Sequence, residues 1–150
     1  MIFVTVGTAH YNPLIEEIDR LVGSGELADA VVAQIGRGRY EPVNIPFFRF
    51  MKSLSHAYDK AEIIVSTGGA GTTLECVTRG LRLVVVENTT LMEGHQAQLI
   101  GEMSRRGHLI WCENVGDLRK CIEIARVKEF SPYVSDKPLM HEMIFDLLKG

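Results

Sequence analysis

The sequence has 150 residues, of which 46% are hydrophobic and 23% charged, and its formal net charge is -3. This length and composition fit one globular domain with a substantial core. The negative charge argues against an extended nucleic-acid-binding surface, and no apolar run approaches the ~20 residues that a membrane span needs. The first residues show no signal-peptide pattern, so we expect a soluble, cytoplasmic protein.

Strand and helix patterns alternate along the chain. Strands are predicted at residues 2–6, 30–35, 44–50, 62–65, 83–86 and 109–112. Helices are predicted at residues 12–22, 53–61, 72–79, 95–106, 117–126 and 138–149. Asn12-Pro13 predicts a cap and a first-turn proline for the first helix, and Pro46 places its run at the sheet margin. The alternation predicts a Rossmann-like α/β fold, with helices on both faces of a parallel sheet, in a single domain over residues 1–150.

The loops that follow these strands are the expected ligand site. Ligands of parallel sheets bind at the carboxyl ends of the strands, and loops there share one edge of the sheet. We therefore expect residues 7–8, 36–38, 66–71 and 87–95 to lie near one another. Arg37 and Arg39 in the second of these loops either contact a phosphate or are solvated.

The loop at residues 66–75 reads Ser-Thr-Gly-Gly-Ala-Gly-Thr-Thr-Leu-Glu and joins a predicted buried strand to a helix. A glycine-rich turn at a helix N-terminus exposes backbone N–H groups that bind phosphate, and glycine lets a ligand approach closely. Glu75 lies about one turn into the helix, where its carboxylate can accept sugar hydroxyl protons. The loop therefore indicates a nucleotide or nucleotide-sugar diphosphate. The alternative is a connection that only packs the helix on the strand.

Cysteines and most histidines carry no metal or redox pattern. The three cysteines form no CxxC pair and are expected to be buried free thiols, at Cys76, Cys112 and Cys121. Four histidines lack metal-ligand spacing and are expected to be structural or exposed, at His10, His56, His108 and His141. No nucleophile-elbow, zinc-protease or P-loop lysine motif is present.

Ordered motifs in this chain resemble the C-terminal, donor-binding half of glycosyltransferase family 28. The glycine loop is followed by Val85-Val-Glu-Asn88 and then by Leu91-Met-Glu-Gly-His-Gln96. The likeness also includes Val4-Thr-Val-Gly-Thr8 and Gln34-Ile-Gly36, and extends to about Gly107. It is strongest to the small soluble subunits of split UDP-sugar glycosyltransferases, which act in dolichol-linked N-acetylglucosamine transfer and in bacterial exopolysaccharide synthesis.

The resemblance implies one half of a GT-B enzyme that binds a UDP-sugar without an essential metal or other cofactor. It places the phosphates at Gly69, Ala70, Gly71 and Thr72, with Thr8 approaching from the first loop. It assigns Glu75 to the ribose hydroxyls and Met51 to backbone contacts with the uracil. It places His95 and Gln96 at the transferred sugar, and His95 is the candidate catalytic residue. On the residues alone, His95 either caps its helix or binds ligand, and Gln96 either is solvated or binds ligand.

The chain departs from the family at Thr67-Gly68-Gly69, where split-enzyme relatives often have His-Ala-Gly. This leaves no confident catalytic base, and 150 residues leave no room for an acceptor domain. The resemblance therefore implies a membrane-associated partner subunit that brings a lipid-linked acceptor and keeps this chain peripheral to the membrane. The alternative is a non-catalytic nucleotide-sugar sensor. A Rossmann oxidoreductase is disfavoured, because its Gly-x-Gly-x-x-Gly motif should follow the first strand, where this chain has only Gly7-Thr8.

The predicted last helix, residues 138–149, has an apolar stripe with methionines. Either it closes the domain's own sheet or part of its stripe docks on the partner subunit.

Overall fold

The computed structural model describes residues 1–88, 94–131 and 133, which form six strands and five α-helices. The strands are β1 (Ile2–Thr5), β2 (Val31–Gln34), β3 (Phe47–Phe48), β4 (Ile63–Ser66), β5 (Leu83–Val86) and β6 (Ile110–Cys112). The helices are α1 (Asn12–Gly23), α2 (Ser55–Lys60), α3 (Ala70–Thr78), α4 (Gly94–Arg105) and α5 (Leu118–Val127). A 3₁₀ turn, Val115–Asp117, leads into α5.

The strands form one sheet in the order β3-β2-β1-β4-β5-β6, and every neighbouring pair is parallel. Val4 lies opposite Ala33 on one side and Val65 on the other. The predicted Rossmann-like parallel sheet is therefore confirmed. Of the run with Pro46, only Phe47 and Phe48 form the strand β3, which lies at the sheet margin as predicted.

Helices cover both faces of the sheet because alternate strand residues point to opposite sides. Val4 and Val65 pack with the buried faces of α1 and α5, which include Ile18 and Ile122. Phe3, Ile64 and Val85 pack on the other face with residues of α2, α3 and α4: Tyr58, Cys76, Val77, Leu99 and Ile100. Two apolar layers thus hold a rigid sheet, and the strand ends carry the loops.

Some helix boundaries differ from the predicted ones. Tyr11, not Asn12, is the N-cap of α1, so Asn12 is already helical and its Oδ1 lies 3.5 Å from Tyr40 N. Helix α3 begins at Ala70, two residues before the predicted start, because Gly69 already serves as its N-cap. The predicted helix at residues 138–149 lies outside the described residues. The single-domain extent of 1–150 stays a prediction.

The cysteines are free and buried as predicted, and burial raises the pKa of the Cys76 thiol to about 12. His108 is structural, since its Nδ1 lies 2.8 Å from the carbonyl oxygen of Ser131, while His10 and His56 are exposed. His141 lies outside the described residues. None of the described helices combines the length and the apolar character that crossing a membrane requires.

Candidate functional site

The loops at the carboxyl ends of β1, β4 and β5 enclose a cleft of about 170 Å³. Its lining residues are Val6, Gly7, Thr8, Ala9, Thr67, Gly69, Asn88 and Gln96. The shared edge predicted from the sequence is confirmed for these loops. Three predicted site residues, Thr8, Gly69 and Gln96, meet in this one cleft.

A second cleft of about 140 Å³ adjoins the first and shares Gly7 and Thr8 with it. Its other lining residues are Gln34, Phe50, Met51 and Leu54. Phe50 is 54% exposed and Met51 58% exposed, which is unusual for large apolar side chains. The second cleft therefore offers an apolar surface beside the polar, backbone-rich first cleft.

The glycine loop leaves open space above the start of α3. Gly68 has a φ of +89°, a conformation that glycine adopts at low cost. A Cβ atom built on Gly69 or Gly71 would meet nothing within 4 Å. Packing of helix on strand therefore does not require glycine at positions 69 and 71, and the packing-only interpretation of the loop fails at these two residues.

The N-terminus of α3 opens at this space. The carbonyl oxygen of Gly69 accepts hydrogen bonds from Thr73 N at 3.0 Å and from Thr73 Oγ1 at 2.9 Å. Gly69 has no side chain with which to cap the helix, so the N–H groups of Ala70, Gly71 and Thr72 belong to the uncapped first turn. Such a turn presents donors and partial positive charge to an anion.

Thr72 offers its backbone N–H, rather than its side chain, at the start of α3. Its side chain is half-buried and hydrogen-bonded to that of Tyr58, which lies in the core. Burial raises the pKa of the Tyr58 hydroxyl above its usual value, and this hydrogen bond opposes the rise. The Tyr58 contact ties the first turn of α3 to α2.

Glu75 lies one turn further along α3, on the exposed surface, outside the lining of the two clefts. Its Oε2 atom is 3.3 Å from Arg79 Nη1, and Arg79 also pairs with Asp59. The structure therefore does not bring Glu75 into the clefts with Thr8 and Gln96. His95 is in the first turn of α4, and its side chain lies outside what the structure describes.

Sequence reasoning assigned no role to Gln34, which lies at the end of β2 and is buried. Its Nε2 donates to Gly7 O at 2.8 Å and to Arg49 O at 2.7 Å. Its Oε1 accepts from Gly7 N at 3.0 Å. The sequence did contain an indication of this role, because Gln34 directly follows the apolar run Ala-Val-Val-Ala. A buried amide must find hydrogen-bond partners.

Asn88 and Thr67 are two further cleft residues that received no ligand role from the sequence. Asn88 is buried, and its Nδ2 donates to the carbonyl oxygen of His10 at 3.2 Å, which joins the loops after β5 and β1. Thr67 lines the cleft at the position where the sequence departs from the split-enzyme pattern. Their positions in the sequence could have indicated a place in the cleft, because each residue closely follows the end of a strand.

No ionisable side chain is among the described residues that line the first cleft. Arg37 and Arg39 are exposed, and Arg37 N donates to Ala9 O at 3.2 Å. Within the described ranges, no three His, Cys, Asp or Glu residues are grouped as metal ligands would be. Independence of donor binding from metal stays a prediction.

The parallel sheet and the clefts at its carboxyl edge define a Rossmann-like α/β domain, and comparison with known proteins gives the family. Residues 1–126 match the glycosyltransferase family 28 C-terminal domain, so the chain belongs to this family. It is 33% identical over 124 residues to the human UDP-N-acetylglucosamine transferase subunit ALG13. That match covers 74% of this chain but 11% of the human protein, so the chain spans about a tenth of that relative.

Solved structures support the fold. The NMR structure of ALG13 superposes with a TM-score of 0.63 at 17% identity, covering 95% of this chain and 93% of that one. Acinetobacter baumannii MurG gives a TM-score of 0.64 at 19% identity, covering 83% of this chain and 40% of that one. At these identities the likeness shows the GT-B C-terminal fold alone.

Proposed function

We propose that this chain is the UDP-sugar-binding subunit of an inverting glycosyltransferase. The observation that carries the proposal is the pair of adjoining clefts that share Gly7 and Thr8. One cleft faces the uncapped N-terminus of α3, and the other carries exposed Phe50 and Met51. A nucleoside diphosphate has the same two parts, an anionic diphosphate and a flat base.

In this proposal the diphosphate binds at the first cleft. The N–H groups of Ala70, Gly71 and Thr72 donate to its oxygens, and the open space at Gly69 and Gly71 admits it close to the backbone. Thr8 approaches from the loop after β1. The helix terminus supplies the positive charge that stabilises departing UDP, so we propose that no divalent cation is required.

The uridine half binds at the second cleft, with the uracil against Met51. Glu75 accepts hydrogen bonds from the ribose hydroxyl groups. For this, its carboxylate must give up its contact with Arg79 and contact the ligand instead. The ion pair between them is exposed and 3.3 Å long, and exposed ion pairs contribute little to stability, so this exchange costs little. Gln96, with His95 beside it, contacts the transferred sugar.

Transfer with inversion needs a base to deprotonate the acceptor hydroxyl as that oxygen attacks the anomeric carbon. The described lining of the first cleft offers no such group. We propose that the base and the acceptor site come from a membrane-associated second subunit with a lipid-linked acceptor, with His95 as the candidate on this chain. The human relative is named as a subunit of a UDP-N-acetylglucosamine transferase, so UDP-N-acetylglucosamine is the first donor to test.

The absence of an ionisable group from the described lining of the first cleft also suits a second function. A non-catalytic sensor of nucleotide sugars needs the donor site and no base. Such a protein would bind UDP-sugars with no transfer in the presence of any partner. The same two clefts serve both functions, so binding alone does not separate them.

The test has two stages. Calorimetry should show binding of UDP and UDP-N-acetylglucosamine, with ADP and CDP as base controls. Transfer of radiolabelled sugar to a lipid-linked acceptor is then measured with this chain alone and with a candidate acceptor subunit, encoded next to it or co-purified with it. Transfer that requires both chains supports the enzyme, UDP-sugar binding without transfer supports the sensor, and no UDP binding rules out both.

A further inference from the structure

One buried side chain connects the loops that line the two clefts. The Gln34 amide is 2% exposed, and five hydrogen bonds surround it. Its Oε1 accepts from Thr5 Oγ1 at 2.6 Å, Val6 N at 3.1 Å and Gly7 N at 3.0 Å. Its Nε2 donates to Gly7 O at 2.8 Å and to Arg49 O at 2.7 Å. A single amide therefore contacts backbone on both sides of its strand.

The sheet order explains why this contact matters. Strand β2 lies between β1 and β3, so these two strands are not hydrogen-bonded to each other, although the loops that follow them both line the second cleft. Gly7 lines both clefts, and Arg49 directly precedes Phe50 and Met51 of the second cleft. Gln34, at the end of the middle strand, joins the two loops.

The Arg49 segment is hydrogen-bonded to the loop after β2, and Phe48, directly before it, stacks on Phe3 of β1 with ring centroids 6.1 Å apart. Arg49 Nη1 donates to Gly36 O at 3.1 Å and to Gly38 O at 2.7 Å, and Gly36 N donates to Arg49 O at 3.2 Å. These bonds fix the segment to the loop after β2. The Gln34 amide adds a hydrogen-bonded link from this segment to Gly7 in the loop after β1.

We propose, on the basis of the proposed function, that Gln34 is a positioning residue that holds the loops after β1 and β3 at the separation one UDP needs to span both clefts. Two parts of one ligand gain affinity from being joined only when their sites are held at a matching distance. When the loops shift, each part of the nucleotide still binds in its own cleft. The gain from joining the parts is lost.

Gln34→Glu tests this with a change of one group. At neutral pH the new oxygen faces the carbonyl oxygens of Gly7 and Arg49 where Nε2 now donates at 2.8 Å and 2.7 Å, and acceptors repel one another. We expect UDP affinity, by calorimetry, to fall at least about 30-fold. Affinities for uridine and for pyrophosphate, by NMR titration, should each fall much less than the affinity for UDP. Ile18→Val, in the core on α1, is the control for general loss of stability and should leave all three affinities unchanged.

Gln34→Met keeps the length of the side chain but removes its hydrogen bonds, so it is a second variant in which the same three affinities are measured. If wild type binds no UDP, the proposed function fails. If wild type binds UDP and a folded variant keeps the affinity, or loses uridine and pyrophosphate binding in the same proportion as UDP, the positioning role is wrong. If circular dichroism shows that neither variant folds, Gln34 serves the sheet as a whole and the positioning role is likewise refuted.

Discussion

The clefts at the two edges of this sheet differ in whether their polar groups are already bonded within the protein or are open to a ligand. At the amino edge, a cleft of about 300 Å³ is lined by Glu62, Ile63, Arg82 and Arg126. At the carboxyl edge, two smaller clefts of about 170 and 140 Å³ adjoin each other. Of these three clefts, the one with the largest volume and with charged lining residues is therefore at the edge opposite the candidate site.

The two arginines of the amino-edge cleft are already engaged within the protein. Arg82 Nη1 donates to Ala125 O at 2.7 Å and to Lys128 O at 2.6 Å, which satisfies carbonyl groups at the end of α5. Arg126 pairs with Asp29, which precedes β2. At the carboxyl edge, by contrast, the first turn of α3 is uncapped and its glycines have open space. Unused backbone donors indicate a ligand site better than volume does.

Replacing glycine by alanine at two positions of the carboxyl edge sharpens this comparison, and the largest effect is expected at Gly36. Gly36 has a φ of +59°, and a Cβ there would lie 2.1 Å from the carbonyl oxygen of Ala9. Gly36→Ala should lower the free energy of unfolding by about 3 kcal/mol, from backbone strain and overpacking together. Urea denaturation measures it. A loss below about 1 kcal/mol would mean that the loop after β2 relaxes freely.

Glu75→Ala should weaken UDP binding by roughly 1–3 kcal/mol, because a charged hydrogen-bond acceptor for the ribose is removed. Calorimetry with UDP measures the change. Asp59→Ala is the matched control, since it removes the other partner of Arg79 and leaves Glu75 in place. Unchanged UDP affinity in a folded Glu75 variant would contradict the ribose assignment.

Gly71→Ala should weaken UDP binding without lowering the free energy of unfolding. UDP affinity should fall about tenfold, or about 1.4 kcal/mol, because the methyl group occupies the space proposed for a phosphate. The free energy of unfolding should stay the same or rise by up to about 1 kcal/mol, since alanine favours helix over glycine. Thr78→Ala, at the far end of α3, is the control and should leave UDP affinity unchanged. A destabilised Gly71 variant with normal UDP binding would favour the packing role of the loop.

The smallest effect is expected at the amino edge. The hydrogen bond from Arg126 holds the pKa of the Asp29 carboxyl below its usual value, although burial opposes this. Asp29 therefore stabilises the fold above its unfolded pKa, near 3.8, and loses that contribution as pH falls through the lower folded pKa. Asp29→Asn should cost about 0.5–1 kcal/mol at pH 7 and flatten the acid limb of the stability curve. A change in UDP affinity would show that the two edges are coupled.

Much of this architecture could be predicted because it depends on local pattern. Short β-branched runs separated by helical segments gave the parallel sheet, and the carboxyl-end rule brought Thr8, Gly69 and Gln96 together. Tertiary hydrogen bonds were not predictable in the same way. The links from Gln34 to Arg49 and from Asn88 to His10 join residues 15 and 78 positions apart, and only the folded sheet order makes them neighbours.

The N-terminus of α1 is a smaller example of a tertiary contact that the sequence did not predict. Asn12 has the side chain of a good cap, yet Tyr11 occupies that position and Asn12 Oδ1 lies near Tyr40 N instead. A contact with a distant loop thus outweighs a local preference. The role of His95 stays a prediction, as does the place of the C-terminal segment in the fold.

The central claim is that backbone N–H groups at the start of α3 bind the diphosphate of UDP without a metal ion. Its most direct test is calorimetric titration of the wild type and of Gly71→Ala with UDP, each in excess EDTA and again with magnesium. We expect one site per chain, the same wild-type affinity in both buffers, and about tenfold weaker binding by the variant in both. Wild-type binding that appears only with magnesium, or equal affinity in the two proteins, would contradict it.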